Sequence, residues 1–247
     1  MPRLDQDQDM ETFKVPNSFA FSGQKIGSLG ATEFTTAALV VDKSGSVTGF
    51  KNELEKCMGE IVKACRKSPR ADNMMIRATT FDSKLEELHG FKTLNNVNPG
   101  DYDNSIHPGG STALNDAALE GINAMVTYGE AMVKQDFSVN GILVVVTDGD
   151  DNVSISPVSA VHQALASAVK DEKLESLVSI LVGVNITDAG LKRRLDAFHK
   201  EAGFTQFISL DDASEKTLAR LAQFVSKSIS AQSQSLGTGG PSRSLSF

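Results

Sequence analysis

Three oxygen-bearing side chains alternate along the chain directly after an apolar run near residue 40. They are Asp42, Ser44 and Ser46, in the stretch AALVVDKSGS. The apolar run predicts a buried parallel strand, and open α/β sheets bind ligands at the carboxyl ends of such strands. A carboxylate and two hydroxyls are hard oxygen ligands that suit Mg²⁺. The spacing therefore indicates one part of a divalent-cation site.

Two later segments contribute oxygen atoms that this first loop lacks. One reads GGSTALNDA over residues 109–117 and offers two adjacent hydroxyls, those of Ser111 and Thr112. The other reads VTDGD over residues 146–150 and places Asp148 after a second apolar run. Because that run also predicts a central strand, we expect the three segments to meet at one edge of a sheet.

Together the three segments resemble the metal-ion-dependent adhesion site of the von Willebrand factor type A domain. The pattern of that family is a D-x-S-x-S loop, a distant loop threonine, and an aspartate in T-D-G after a central apolar strand. Related sequences read Gly-Gly, sometimes with one more residue, before Thr-Ala-Leu, which makes Ser111 the inserted residue. The resemblance spans about residues 34–230 and assigns the metal ligands as Asp42, Ser44, Ser46, Thr112 and Asp148.

The chemistry of this set of ligands suits a divalent cation. Two carboxylates balance its charge, three hydroxyls add neutral oxygens, and an octahedral field then keeps at least one position for another ligand. The resemblance implies that an Asp or Glu side chain of a partner protein fills that position. The expected ion is Mg²⁺, with Mn²⁺ or Ca²⁺ as alternatives. Lys43 is expected to point away from the ion, and Gly45 to let the turn close tightly around it.

Other acidic and amide side chains lie close to the three segments in the sequence. Asp150, Asp151 and Asn152 extend the third segment, either at the rim of the metal site or as a solvated acidic loop. Asp116 is expected to form hydrogen bonds around the ligands or with the loop beneath them. Asp82 ends a predicted strand on the same rim, where a structural role is expected rather than ligation.

Sequence signatures of catalysis are missing. The nucleophile motif G-x-S-x-G and the phosphate-binding motifs G-x-x-x-x-G-K-[ST] and G-x-G-x-x-G do not occur. The histidines fall on separate predicted elements, and none lies by spacing beside a hydroxyl nucleophile. His107 is the nearest candidate base, and His89 is expected to be a surface or edge residue. We therefore predict that the protein is not an enzyme and binds no organic cofactor.

Hydrophobic patterns predict the elements that position these loops. Apolar residues recur at helical spacing from Phe50 to Cys65, and the helix must end before Pro69. Alternating strands and helices favour an α/β fold with a three-layer, mostly parallel, doubly wound (Rossmann-like) sheet. Strands are predicted at 36–41, 74–81, 85–91, 142–147, 177–184 and 205–209, and helices at 50–65, 113–133, 157 onward, 191–201 and 214–230.

Three segments fall outside this alternation. Residues 1–33 are predicted to be an acidic leader followed by a Gly-rich turn or hairpin, and 231–247 a flexible Ser/Gly-rich tail, with the domain at 34–230 between them. Residues 93–110 form a long loop, which in a compact domain is usually functional or disordered. Leu245 and Phe247 in the tail either dock on a partner or belong to a disordered end.

Composition excludes several classes of protein. With 24 basic and 31 acidic residues the formal charge is −7, so no electrostatic footprint for nucleic acid is expected. No apolar run approaches the ~20 residues of a membrane span, and no secretory signal begins the sequence. Cys57 and Cys65 lie two helical turns apart, about 12 Å, too far for a disulfide. We therefore expect buried, reduced thiols and a cytoplasmic protein.

The sequence as a whole favours a metal-dependent protein-binding module without membrane or nucleic-acid partners. Within the family, the pattern is most similar to intracellular bacterial and phage-borne members. An alternative is a structural component of a phage particle or another large complex, with the two ends as docking arms and a virion-associated location. A metal-dependent hydrolase is the least favoured reading, because no general base lies near the ligands by spacing.

Overall fold

The computed structural model describes residues 9–16, 18–242 and 244–247. The first eight residues, which include most of the predicted acidic leader, lie outside these ranges. Eight strands form one sheet: β1 Met10–Lys14, β2 Ala20–Gln24, β3 Glu33–Asp42, β4 Met74–Phe81, β5 Leu85–Thr93, β6 Ser138–Thr147, β7 Leu177–Gly183 and β8 Gln206–Ser209. Their order across the sheet is β1-β2-β5-β4-β3-β6-β7-β8.

Within the described ranges, five α-helices cover the two faces of the sheet: α1 Lys51–Cys65, α2 Leu114–Val133, α3 Val158–Lys170, α4 Ala189–Ala202 and α5 Glu215–Thr238. The helices α1 and α5 bury one apolar cluster against the sheet, and α2, α3 and α4 bury another on the opposite face. Neighbouring strands from β4 through β3, β6 and β7 to β8 are parallel, whereas β5 is antiparallel to β4. The predicted three-layer, mostly parallel sheet is confirmed.

The central strands explain why their sequences are continuously apolar. Along β3, Leu39 and Val41 face α1 and α5, whereas Ala38 and Val40 face α2. Side chains alternate between the two faces of a strand, so a strand covered on both faces needs apolar residues at every position.

The N-terminal segment forms a hairpin, one of the two structures expected for it, but the hairpin begins within the predicted leader and adds two strands to the sheet. The strands β1 and β2 form an antiparallel hairpin, and β2 joins the edge of β5. Edge-on aromatic contacts hold the hairpin there: the ring centroid of Phe13 lies 4.9 Å from that of Tyr128 in α2, and the centroid of Phe21 lies 6.1 Å from that of Phe91 in β5. Residues 10–24 therefore belong to the sheet, although the predicted domain begins at residue 34.

The C-terminal segment also differs from the prediction. Residues 231–238 continue α5, where distant parts of the fold contact them: Asn140 Nδ2 donates to the backbone carbonyl of Gln232 at 2.9 Å, and Arg70 Nε donates to Ser233 Oγ at 3.2 Å. The following residues fold back, with Phe247 packed edge-on against Phe224 at 5.5 Å. Residues 231–238 of the predicted flexible tail are thus helical, and Leu245 and Phe247 contact the folded chain, although most of the described residues after 238 are exposed.

The long loop at 93–110 is ordered by contacts with α1 and β5. Glu55 accepts hydrogen bonds from the backbone of Asn104 and Ile106, and Tyr102 is fully buried. The Tyr102 hydroxyl lies 2.8 Å from Nε2 of His89, which is itself buried. The expectation that His89 lies at the surface is therefore wrong.

Smaller features of the elements follow the local sequence. The Asp188 side chain caps α4 by accepting from the N–H of Leu191, and Gly203 ends this helix at φ +78°. The helix α3 starts at Val158, one residue later than predicted. Cys57 and Cys65 are buried free thiols, as predicted. None of the helices in the described ranges is both long and apolar enough to cross a membrane.

Candidate metal centre

The register of the central strands brings the first and third loops together. The strands β3 and β6 pair in parallel up to Val41 and Val146, so both chains leave the sheet at the same edge. Asp42 is the last residue of β3, and Asp148 directly follows β6. The two carboxylates predicted to share an ion therefore lie on adjacent strand ends.

Asp42 is held rigidly by two short hydrogen bonds. Its Oδ1 accepts from the backbone N–H of Ser44 at 2.7 Å, and its Oδ2 accepts from the hydroxyl of Thr147 at 2.6 Å. The side chain is 1% exposed. Asp42 consequently has a fixed orientation beneath the first loop.

A chain of hydroxyls links the first loop to the third. Ser44 Oγ lies 3.0 Å from Ser46 Oγ, and Ser46 Oγ donates to Asp148 Oδ1 at 2.6 Å. Neighbouring oxygens around an octahedral Mg²⁺ with bonds of 2.0–2.1 Å are about 3 Å apart. The spacing of these three oxygens is close to that of adjacent ligands around one ion.

Thr112 is brought to the third loop by a reciprocal pair of hydrogen bonds. Its backbone N–H donates to Asn152 Oδ1 at 2.9 Å, and the Asn152 N–H donates to the Thr112 carbonyl at 3.0 Å. A Cβ on Gly149 would lie 3.3 Å from Thr112 Oγ1, so this hydroxyl faces the loop of Asp148. Ser111 is bonded instead through its N–H to Ser83. All five candidate residues thus lie on three converging loops.

The electrostatics of the two carboxylates favour a bound cation. Burial raises the pKa of Asp148 to about 6. The hydrogen bond from Ser46 lowers this pKa, and the charge of Asp42 raises it further. Burial also raises the pKa of Asp42, although Thr147 and Ser44 oppose the shift. Among the described residues neither carboxylate forms a salt bridge, because Lys43 points away, as predicted, and pairs with Glu86 at 2.9 Å.

These observations fit a hard divalent cation. The donors are oxygens only, and two carboxylates would balance the charge of the ion. No side-chain cation of the described part of the chain pairs with either carboxylate. Within the described ranges no group of three or more His, Cys, Asp or Glu side chains is arranged for metal binding. A divalent cation here would therefore depend on hydroxyl as well as carboxylate oxygens, which are hard ligands.

The surrounding acidic residues brace the third loop. Asp116 accepts from the backbone N–H groups of Ile155 and Ser156, both at 2.9 Å. It therefore binds a neighbouring loop, which was one of the two roles expected for it. Asp150 pairs with Arg194 at 2.6 Å, and Asp151 accepts from the N–H of Asn115. These acids are engaged by the protein and do not form a simple solvated loop.

Asp82 has the structural role predicted for it. Its carbonyl accepts from Ala113 at 2.9 Å and its side chain accepts from Lys84 at 2.9 Å, which links β4 to the loop carrying Thr112. Gly110 adopts φ +67° against this residue, where a side chain would be strained. Gly45 differs from expectation, since a Cβ there would meet only Gly110 O at 3.8 Å, an ordinary contact.

Two positioning residues were not assigned from the sequence. Thr147 orients Asp42, and Asn152 orients Thr112. The signal for Thr147 is a hydroxyl at the end of an otherwise apolar run, which needs a polar partner once it is buried. Asn152 has no comparable signal, because its partner lies 40 residues away and only the folded loops bring them together.

Comparison with solved structures shows the fold of the chain. It is similar to the PilB minor pilin of Streptococcus sanguinis, with a TM-score of 0.59 and 16% identity over 89% of this chain and 66% of the pilin. It is also similar to the pilus adhesin SpaC of Lactobacillus rhamnosus GG, with a TM-score of 0.59 and 12% identity over 82% of this chain and 31% of the adhesin.

A third similar structure is proximal thread matrix protein 1 from the mussel byssus, with a TM-score of 0.52 and 19% identity over 81% of this chain and 47% of that protein. The chain thus spans less than two thirds of each of these proteins. No family model matches the chain, and no curated protein matches its sequence. The fold is that of a von Willebrand factor A-like, Rossmann-type domain.

Proposed function

We propose that the protein is a metal-dependent protein-binding module whose cation is completed by an acidic side chain of a partner. The observation that carries the proposal is the continuous contact of Ser44, Ser46 and Asp148 at 3.0 and 2.6 Å between two loops. Such a chain of oxygens beside a buried carboxylate has little purpose in packing. It is the arrangement expected of ligands that share one ion.

Different residues of the chain have different roles in such a site. Ser44, Ser46 and Thr112 present neutral oxygens, while Asp42 and Asp148 supply negative charge. Thr147 and Asn152 hold two of these side chains in place. Mg²⁺, or Mn²⁺ or Ca²⁺ in its place, would supply a Lewis-acidic position for a partner carboxylate. We further propose that the module acts in the cytoplasm, where its two free thiols would stay reduced.

An assembly component is the second candidate, favoured by the names of the similar structures. Their titles describe a minor pilin, a pilus adhesin and a thread matrix protein. That alternative uses the two ends of the chain as docking arms. The C-terminal end does not support it, because Leu245 and Phe247 pack against this chain itself. The geometry does not favour a hydrolase. His107, the nearest candidate base, lines a separate pocket, and none of the five candidate metal ligands lines that pocket.

Titration of the purified protein with Mn²⁺, followed by electron paramagnetic resonance, tests the metal site directly. We expect wild-type protein to bind one ion per chain, Mg²⁺ to compete for it, and Asp148→Ala to lose it. Asp196→Asn is the matched control, because Asp196 is an exposed carboxylate on α4 that pairs with Lys200. Equal binding by wild type and Asp148→Ala would show that the assigned ligands are wrong.

Affinity purification from the source cells, with and without EDTA, tests the partner. The proposal predicts that wild-type protein recovers partners only without EDTA and that Asp148→Ala recovers none of them. Circular dichroism of the variant should remain that of the wild type, since Asp148 is partly exposed in a loop. A partner retained in EDTA would contradict a metal-bridged interface.

A further inference from the structure

One apolar side chain stands fully exposed beside the candidate metal centre. Ile155 is 95% exposed, yet its loop is tightly braced. Its N–H donates to Asp116, and the neighbouring Ser154 bonds to both Asp151 and the N–H of Asp116. Ile155 follows Asn152, which orients Thr112, by three residues, or at most about 10 Å of chain. With Val153, 44% exposed two residues before it, Ile155 presents apolar surface to solvent beside the candidate ligands.

A groove of about 690 Å³ begins at this residue. It lies between α2 and the strands β2, β5 and β4, which contribute Ala20, Leu85 and Arg77 to its lining. Its apolar walls are Ile155, Phe19, Leu85 and Leu119, and the last three are only partly buried. The groove is therefore continuous with the loop that carries the proposed interface.

The charges along the groove are unbalanced. Arg77 forms its floor and pairs with Glu87 at 3.0 Å and with Glu120 at 2.7 Å. Asp116 adds a third carboxylate, and among the residues that the structure describes no lysine or second arginine lines the cavity. Three carboxylates against one guanidinium leave the groove with a net negative charge, so it complements a cationic group.

We propose that this groove is the second half of the interface and takes a Lys or Arg side chain of the same partner segment. The partner carboxylate would reach the metal, an apolar residue of the segment would cover Ile155, and the cationic side chain would enter between α2 and β5. This inference rests on the proposed function, because the metal fixes where the segment begins. It adds that the recognised segment carries both signs of charge.

Selection from a random peptide library displayed on phage, in MgCl₂, provides the probe. Peptides enriched on the wild-type protein are expected to carry an Asp or Glu together with a Lys or Arg and an apolar residue. The affinity of one enriched peptide is then measured by fluorescence anisotropy for two variants. Asn123→Lys places a positive charge in the groove, and Ile155→Ser removes the apolar contact.

Matched controls are Gln163→Lys and Val169→Ser on α3, outside the groove. We expect Asn123→Lys to weaken binding about tenfold through like-charge repulsion, whereas Gln163→Lys has no effect. Replacing the cationic residue of the peptide by Met should abolish the difference between wild type and Asn123→Lys. Ile155→Ser should weaken binding and Val169→Ser should not.

The outcomes separate this inference from the proposed function. If enriched peptides need Mg²⁺ and an acidic residue but show no enrichment of Lys or Arg, the groove inference is wrong and the metal-dependent module stands. The groove inference is also wrong, and the module still stands, if Asn123→Lys binds the enriched peptide as tightly as Gln163→Lys does. If binding persists in EDTA and with Asp148→Ala, the proposed function itself fails.

Discussion

At the scale of single residues, burial decides which side chains are available for chemistry. The two candidate ligand carboxylates are buried or half-buried without a cationic partner in the described residues, and burial raises the pKa of each. Their charges are costly in the metal-free protein, and that cost would be offset by a bound ion. Nearby acids such as Asp150 are already paired with the protein, which separates ligands from structural carboxylates.

Burial of His89 predicts loss of stability in acid. Burial lowers the pKa of His89 from 6.5 to about 4, so the unfolded chain binds more protons than the folded one between these values. The free energy of unfolding should therefore fall as the pH drops through this window, by about 3 kcal/mol in total. Urea denaturation in EDTA at neutral and acidic pH, for wild type and His89→Gln, measures the effect. The free energy of unfolding of His89→Gln should fall less on acidification than that of the wild type.

The matched control is His107→Gln, because His107 is exposed. The raised pKa of Asp148 acts in the opposite direction between 3.8 and about 6, favouring the folded state as the pH falls. That contribution is present in wild type and both variants and cancels in the comparison. An equal acid loss in wild type and His89→Gln would show that the imidazole is not held neutral by the fold.

At the scale of elements, the close approach of two strands determines where the N-terminal hairpin attaches. The strand β2 runs directly over Gly90 of β5, where a Cβ would lie 1.9 Å from the carbonyl oxygen of Ser22. Only a residue without a side chain allows this contact. The hairpin in turn forms the outer wall of the groove, since Phe19 leads into β2.

Replacement of Gly90 by Ala should therefore detach the hairpin. The new methyl group forces β2 away from β5, and we expect the free energy of unfolding to fall by about 1–3 kcal/mol, as in other overpacked sites. Backbone amides of residues 10–24 should exchange faster with deuterium, as read by mass spectrometry. Gly27→Ala is the control, because a Cβ at Gly27 meets nothing within 4 Å. Similar exchange in the two variants would contradict this account of the attachment.

At the scale of the whole molecule, the surface favours a single chain in solution. The edge strands β1 and β8 have five and four residues, and β1 carries exposed Glu11 and Lys14. Short, charged edges oppose pairing between sheets. Among the exposed large apolar residues of the described ranges, only Val153 and Ile155 lie close together in the chain. The net charge of −7 adds repulsion between copies.

Sedimentation velocity over a range of concentrations tests this expectation. We predict one species with a mass near 26.3 kDa, with and without Mg²⁺. Ile155→Ser should sediment identically, since the exposed isoleucine is assigned to a different protein partner. An increase in the sedimentation coefficient with protein concentration would favour the assembly component over the binding module.

The sequence by itself determined the features that follow from local periodicity. Continuous apolar runs identified the buried central strands, helical spacing identified α1, and β4 was predicted at its observed bounds, Met74–Phe81. Because parallel strands end at one edge, the motif also indicated where Asp42 and Asp148 would meet. These inferences need only the geometry of a strand or helix.

Only the tertiary structure decided the features that depend on distant partners. Residues 231–238 resemble a linker in composition, yet they are helical because Gln232 pairs with Asn140, 92 residues away. The hairpin at 10–24, the burial of His89 and the positioning of Thr112 by Asn152 arise in the same way. A buried polar group is stable only where another part of the chain satisfies it, and no local pattern contains that partner.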